Sequence, residues 1–410
     1  MKQLSILIPL VVTFILSYSQ DAQNQTKSNT SQPETIPVGK GPDALFLTPN
    51  ERYLYVANVE DSFISVIDTR TDKVVQTIDG TDYPWGFTRL GETNQVAVSG
   101  WDKGVDVIDF ITHKIVRSKR YEQNLGGIVS TKNGKILFVI ATDGNKVLKI
   151  DAESLEIIDK YATGNGPDGV GISKDDSKVY VTNTKDGTIS IINLKTKTSM
   201  VIATGGKPEL IHYNYDHSLL FISNFFENKI HILDTGTDKI VHEISGLDGP
   251  EEAVLSKSEE TLYVVNFNNS KVYSYDAKTY EKLPQEFTVG AKPIGVVSAV
   301  DDSKLYVSNY GDNSVAVILL HSQSKLSDRD TEREILVKFK ASVNESQIAQ
   351  LASELGLQQI KTIAALRLRV FKITSKKSLK EVITACENQP FVEYAEPNQK
   401  VGTKLSRLRN

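Results

Sequence analysis

A chain of 410 residues with 40% hydrophobic and 24% charged side chains has an ordinary globular balance, with room for one large domain or two to three average ones. Its net charge of −4 excludes a whole-molecule nucleic-acid footprint. The single cysteine, Cys386, excludes an internal disulfide, and no Cys-x-x-Cys-His is present to attach a c-type haem.

The N-terminus has the layout of a signal peptide over residues 1–19. Lys2 supplies a positive charge, Leu4 to Tyr18 is a nearly unbroken apolar run, and Ser17 and Ser19 are small residues at −3 and −1 of a cleavage point. The run is too short for a comfortable membrane span. The expectation is therefore a secreted, periplasmic or cell-surface protein with no transmembrane span after cleavage. Residues 20–32 are polar and aperiodic, as in a flexible leader.

From residue 33 to 320 one pattern recurs seven times. Tyr55-Val-Ala-Asn58, Val96-Ala-Val-Ser99, Phe138-Val-Ile-Ala141, Tyr180-Val-Thr-Asn183, Phe221-Ile-Ser-Asn224, Tyr263-Val-Val-Asn266 and Tyr306-Val-Ser-Asn309 end 41 to 43 residues apart. Ten residues beyond each end stands Asp68, Asp109, Asp151, Asn193, Asp234, Asp276 or, breaking the rule, Leu319. Sixteen residues before, give or take one, stands Pro42, Pro84, Leu125, Pro167, Pro208, Pro250 or Pro293. Short β-branched and aromatic runs with turn residues between them fill each unit, and no helical period interrupts them. Four short strands per ~42 residues make a propeller blade. The fold class expected is an all-β seven-bladed propeller followed by a small α+β domain.

Ring closure is also readable. Outer-strand residues Ile78, Lys119, Tyr161, Ile202, Ile244 and Phe287 recur six positions before each following Pro position, and Ile36 is their equivalent ahead of the first repeat. The seventh repeat runs into polar His321-Ser-Gln-Ser-Lys325 without a fourth strand. The N-terminal segment is therefore expected to supply that strand and remove two open sheet edges.

These repeats resemble the YVTN family of β-propellers, whose tetrapeptide stands unaltered at 180–183. Ser99, Ala141 and Leu125 depart from the pattern. The resemblance implies a bacterial or archaeal secreted or surface-layer-like protein, mostly a binding module. Related propellers include lactonases and haem or quinone enzymes, so fold alone does not assign an activity.

The loop leading to each inner strand and the loop after each second strand should open on one face. After the Pro positions come Asp43, Trp85, Gly126, Asp168, Glu209, Glu251 and Ile294; after the second-strand markers come Val59, Gly100-Trp101, Thr142, Thr184, Phe225-Phe226, Phe267 and Tyr310. An acidic rim with aromatic faces suits a sugar, or a cationic group through cation–π contact. The rim candidates are thus Trp85, Trp101, Asp43, Asp168, Glu209, Glu251, Phe225, Phe267 and Tyr310, with a surface polymer, sugar, peptide or protein as the partner. Carboxylates at this point could equally cap backbone N–H groups, and the repeated Asn could tie one blade to the next. Oxygen ligands would also suit Ca²⁺, with Asp168 and Glu209 the weak candidates, as a metal-dependent lactonase-like hydrolase would require. The six histidines are scattered without metal-ligand spacing; His212, three residues past Glu209, is the one near the channel. No catalytic set and no cofactor follow from these residues.

After a linker at 321–331, the period changes. Ile335–Phe339 alternates as a strand; 344–355 carries a helical stripe of Ile348, Leu351, Ala352 and Leu355; 357–363 and 366–373 are strands; 379–386 is a helix capped by Ser378; 391–394 is a last strand. The order β-α-β-β-α-β is ferredoxin-like. Cys386 lies on the second helix's apolar stripe, as a buried inert thiol would. Glu334-Ile-Leu-Val-Lys-Phe-Lys340, Leu355-Gly356 and Pro390-Phe-Val-Glu-Tyr-Ala-Glu-Pro-Asn398 resemble the prodomain of subtilisin-like proteases of the fervidolysin type, over 332–398. That resemblance implies a peptidase-inhibitor-like fold and a subtilisin-like protease as a partner, acting as inhibitor or chaperone, or else a reused fold that only docks. Within these 410 residues no subtilisin-like catalytic domain is expected, as Thr198-Ser199-Met200 lacks the preceding Gly of the serine motif. Residues 399–410 form a basic tail. Residues 331–410 carry an excess of six positive charges and the rest of the chain ten negative ones.

Overall fold

Each repeat alternates short apolar runs with turn residues, and each folds into four antiparallel strands. In blade 1 these are Pro42–Leu47, Tyr53–Asn58, Phe63–Asp68 and Lys73–Asp79, hydrogen-bonded in that order. In this computed structural model, which describes residues 33–81, 83–299, 302–320, 334–340, 343–363 and 367–397, the same sheet recurs seven times. The expected signal peptide, leader, linker and basic tail lie outside the described residues. The blades span 42–79, 84–120, 125–162, 167–203, 208–244, 250–288 and 293–319, the last completed from the N-terminal side.

The second and third strands are buried on both faces because each blade is covered by two neighbours. Leu54, Val56 and Ile67 of blade 1 pack with Tyr306, Val315 and Val317 of blade 7, while Tyr55, Ile64 and Val66 pack with Val96, Val98 and Ile108 of blade 2. Outer strands face solvent on one side and alternate accordingly, as in Lys114–Arg120. The Asp that ends the third strand in blades 1, 2, 3, 5 and 6, and Asn193 in blade 4, make the turn into the fourth: Asp109 Oδ1 accepts from the backbone N–H of Ile111 (3.1 Å) and Thr112 (2.8 Å).

Glu34–Pro37 pairs antiparallel with Ser314–Leu319, with Ile36 opposite Val315 and only 4% exposed. Blade 7 is thus closed by the N-terminal strand. Side chains close the ring as well. Tyr306 Oη donates to Asp72 Oδ1 in blade 1 (2.8 Å), and Ser308 Oγ donates to the Asp43 carbonyl (2.6 Å).

Blade 2 corrects one repeat marker. The Asn-equivalent is Gly100, not Ser99: Pro84 pairs with Gly100 as Pro42 pairs with Asn58 and Pro167 with Asn183. The loop after its second strand is one residue shorter, since Gly100 pairs with Gly104 where Asn183 pairs with Thr188. The deletion lies between the two markers, so counting back from Asp109 landed on Ser99. With Gly100 in place, Pro84 stands sixteen residues before it, as in the other six repeats.

The chain divides into two compact units, on either side of residue 320. The second has strands Glu334–Phe339, Leu357–Ile363, Leu368–Ile373 and Val392–Pro397 and helices Glu345–Leu355 and Leu379–Glu387. The third of these strands lies between the second and the first, and the fourth pairs on the first's other side. This is the ferredoxin-like order. Both helices start at capping boxes, Asn344 with Gln347 and Ser378 with Glu381. Ile348, Leu351, Val382 and Cys386 cover the sheet through Val337, Phe339 and Phe371. Burial pushes the Cys386 thiol up to about 12, so it is inert.

Candidate functional site

Six of the seven inner strands begin with Pro, which donates no backbone hydrogen bond, and a bulge follows directly. Between Pro42 and Leu45, Pro84 and Gly86, Pro167 and Val170, Pro208 and Ile211, and Pro250 and Ala253, one extra residue is accommodated opposite the second strand. A bulge re-aims its side chain out of the regular alternation. The residues carried there are Asp43, Trp85, Asp168, Glu209 and Glu251, five of the nine expected from the rim pattern.

The loop after each second strand is tied to the same place. Backbone N–H groups of Val59, Trp101, Thr142, Thr184, Phe225, Phe267 and Tyr310 donate to the carbonyls of Gly41, Tyr83, Asn124, Gly166, Lys207, Gly249 and Lys292. Each acceptor directly precedes the Pro-type position. All seven loop pairs therefore open together at one mouth of the channel, and Trp101 is the direct counterpart of Val59. The repeated Asn is structural: Asn183 Oδ1 accepts from Gly164 N (3.0 Å), and its Nδ2 donates to Thr188 Oγ1 and Ser190 Oγ (2.9 Å each). It pins the loop arriving from the preceding blade.

The mouth gathers the acidic residues from blades 1, 4, 5 and 6. Burial, then the charges of Asp168, Glu252 and Glu209, push the Asp43 carboxyl up to about 8. Burial and Glu209 raise Asp168 to about 6, against the opposing effect of Lys207. Burial, with Glu209, Asp43 and Asp168 around it, holds Glu251 well above the usual carboxylate range. Glu209 is only 7% exposed; burial raises it while an ion pair from Lys207 to its Oε1 lowers it. Its Oε2 is buried with no hydrogen-bond partner. These carboxyls are near enough to suppress one another's ionisation.

The aromatic residues fall into two groups. Phe225 lies edge-on to Phe226 and Phe267, each at 5.7 Å between centroids. The chain's own cations cover them: Lys207 Nζ stands 5.4 Å from the Phe225 centroid and 5.9 Å from Phe226, and Lys292 Nζ 5.9 Å from Phe267. Trp85 and Trp101 meet at 5.5 Å with a 37° tilt, and Trp101 is 39% exposed. Tyr310 Oη donates to Glu60, in the blade 1 loop after the second strand.

Three residues of the mouth escape a rim pattern based on the residue after each marker. Lys207 stands one before Pro208. Glu252 stands two after Pro250, where blades 2, 3, 4 and 7 have glycine; its Oε2 accepts from Val296 N (2.7 Å), and its Oε1 is 3.7 Å from His212 Nδ1. Tyr83 precedes Pro84 and is 47% exposed. Stepping one residue to either side of the Pro and the residue after it reaches all three. Among the described residues, no three His, Cys, Asp or Glu side chains come together as a metal-binding group.

Comparison with known proteins agrees with both units. Residues 328–398 match the family model of the fervidolysin N-terminal prodomain. Antigen Lp49 of Leptospira interrogans is 25% identical over 228 residues, 52% of this chain and 49% of that protein. An uncharacterized protein of Staphylococcus aureus (strain bovine RF122) is 25% identical over 222 residues, 45% of this chain and 65% of its own. The chain thus spans about half to two-thirds of these curated relatives. Among solved structures, a chain of Kuenenia stuttgartiensis hydrazine synthase superposes with a TM-score of 0.60 at 18% identity, covering 72% of this chain and 98% of that one. The Cps50 (Swd1) β-propeller domain of Myceliophteria thermophila gives 0.61 at 12% identity, covering 70% and 98%. At such identities the likeness shows the propeller fold alone. Among the described residues, no helix is long and apolar enough to cross a membrane.

Proposed function

We propose that this is a secreted or cell-surface binding protein that holds a partner at the acidic mouth of its propeller through a basic group of that partner. The observation that carries this reading is the Trp85–Trp101 pair, which no lysine or arginine covers among the described residues, opening on the same mouth as Asp43, Asp168, Glu209 and Glu251. A lysine or arginine side chain gains cation–π attraction from the indoles and charge pairing from the carboxylates. The Phe225–Phe226 side shows the same chemistry already satisfied within the chain, by Lys207 and Glu209.

The chain has two tryptophans, both in this pair, so intrinsic fluorescence reports the site alone. Titrating the full chain with hexalysine at pH 8 should quench it saturably, with affinity falling as salt is raised. An Asp168→Asn/Glu251→Gln variant should bind about tenfold or more weakly, as expected for loss of charge pairs worth ~1.4 kcal/mol or more in all. A flat titration, or a response unchanged in the variant, removes this reading.

The prodomain match favours a second, separable role. The C-terminal unit has the fold that accompanies a subtilisin-like protease, and such a protease is its proposed partner. The full chain should slow subtilisin cleavage of a chromogenic peptide, and a chain ending at 331 should not. Equal rates with and without the full chain would leave this unit a reused scaffold.

A further inference from the structure

The inner strands run from the acidic mouth to the opposite end of the channel, and there the chemistry changes. The ends of these strands in blades 1, 5, 6 and 7, with the turns that follow them, line an open cavity of about 410 Å³. That is within the range of roughly 300–1,000 Å³ of small-ligand sites. We propose that this second mouth binds a neutral saccharide.

The wall is aromatic and held in place. Tyr215 is 69% exposed, yet its backbone N–H donates to Glu259 Oε1 (2.6 Å) in the neighbouring blade, and Lys257 Nζ stands 5.9 Å from its ring. Tyr213 packs on His217 at 3.8 Å between centroids and on His212 at 5.8 Å. Ordered, water-facing rings suit the apolar C–H face of a pyranose, at little cost in side-chain entropy. The polar groups point the same way. Tyr213 Oη, Tyr215 Oη and His212 Nε2 have no hydrogen-bond partner among the described residues, and sugar hydroxyls both donate and accept. A purely apolar ligand would desolvate these groups without replacing their bonds to water. The charges balance: the lining carries one lysine, Lys257, against one glutamate, Glu259, and burial lowers the His217 pKa, keeping that ring neutral at pH 7. Among the described lining residues the charges cancel, in contrast to the acidic mouth.

The test uses the full chain with maltohexaose, cellohexaose and hexa-N-acetylchitohexaose, followed by saturation-transfer NMR and calorimetry. At least one sugar should show transfer. Tyr215→Ala should weaken binding about tenfold or more, and Tyr215→Phe should retain most of it. Because Tyr215 is exposed, its replacement leaves the core intact. Tryptophan fluorescence should stay unchanged on sugar binding, since both indoles lie at the other mouth. No transfer from any of the three sugars overturns the proposal. Binding indifferent to Tyr215→Ala also overturns it. Binding that disappears in Trp101→Ala instead would place the sugar at the acidic mouth and would likewise overturn it, whereas failure of hexalysine to bind there would leave this site untouched.

Discussion

Replacing Gly169 with valine should lower the stability of the propeller by about 3–5 kcal/mol, enough to leave little folded protein at 37 °C. A β-carbon at this position would lie 2.2 Å from the Glu209 carbonyl oxygen of the next blade and 3.0 Å from Thr182 Oγ1. The obstacle is backbone, so no rotamer change relieves it. The inner strands of blades 4 and 5 would have to separate. That movement breaks the bond from Thr182 Oγ to the Glu209 carbonyl (2.5 Å), which links the two blades, and the bond from Gly169 N to the same hydroxyl (2.8 Å). Overpacking contributes about 1–3 kcal/mol, and each lost buried hydrogen bond about 1 kcal/mol more. Gly144→Ala is the matched control: its nearest neighbour is a flexible side-chain carbon at 3.6 Å, and its cost should stay within about 0.5 kcal/mol. Urea midpoints followed by tryptophan fluorescence measure both, because both indoles belong to the propeller. A Gly169→Val midpoint equal to wild type would mean that the blades are not in this contact in solution.

The same contact explains why the acidic mouth was readable in part. Strand spacing, the Pro positions and the apolar runs are local signals, repeated seven times, and a periodic signal survives individual departures such as Leu125. The outer-strand series ending at Ile36 made the closing strand legible before any pairing was known. Blade 2 misled because a one-residue deletion between two markers keeps one count while shifting the other. Only the pairing of Pro84 with Gly100 separates these cases. Glu252 and Lys207 were hidden for a different reason. Their roles depend on which residues of other blades face them across the channel, and a repeat alignment compares equivalent positions rather than facing ones. Asp168 is 41 residues from Glu209 and 125 from Asp43 in sequence, yet both act on the same electrostatic neighbourhood. The capping reading of the acidic residues also found its counterpart, one loop away. Backbone N–H groups at Lys40, Asn165 and Ala291 are held by Asp61, Asp186 and Asp312, which leaves the bulge carboxyls for the channel.

That division sets the pH dependence. Asp43 and Asp168 have carboxyls raised to about 8 and about 6 in the folded protein, against 3.8 when unfolded. A raised acid keeps its proton in the folded state after the unfolded state has lost it. Stability from these groups is therefore complete below about pH 4 and is lost as pH rises through 6 to 8. Asp175 acts in the opposite sense, because hydrogen bonds from Ser177 and Ser173 hold it down at about 2, so its contribution is lost as pH falls from 4 toward 2. Maximum stability should accordingly lie near pH 4–5, below the usual range. Asp43→Asn removes the titration while keeping the shape. It should raise stability by about 1–2 kcal/mol at pH 9 and change it little at pH 4.5. The gain is well under the full Coulomb and desolvation cost because the carboxyl keeps some contact with solvent, which screens it. Thermal melting across pH 4–9 measures this, with an expected gain of about 2–6 °C at the alkaline end. A lower melting point in Asp43→Asn at every pH would show that the carboxyl is needed as a hydrogen-bond acceptor and not strained by its neighbours. The same protons bear on the partner. A basic group entering the mouth favours the ionised carboxyls and must displace their protons, so hexalysine affinity should rise from pH 6 to pH 8. Its binding heat should vary between buffers of different ionisation enthalpy. In the Asp43→Asn chain part of that variation should vanish, which ties the strained carboxyl of blade 1 to the ligand and not to the fold.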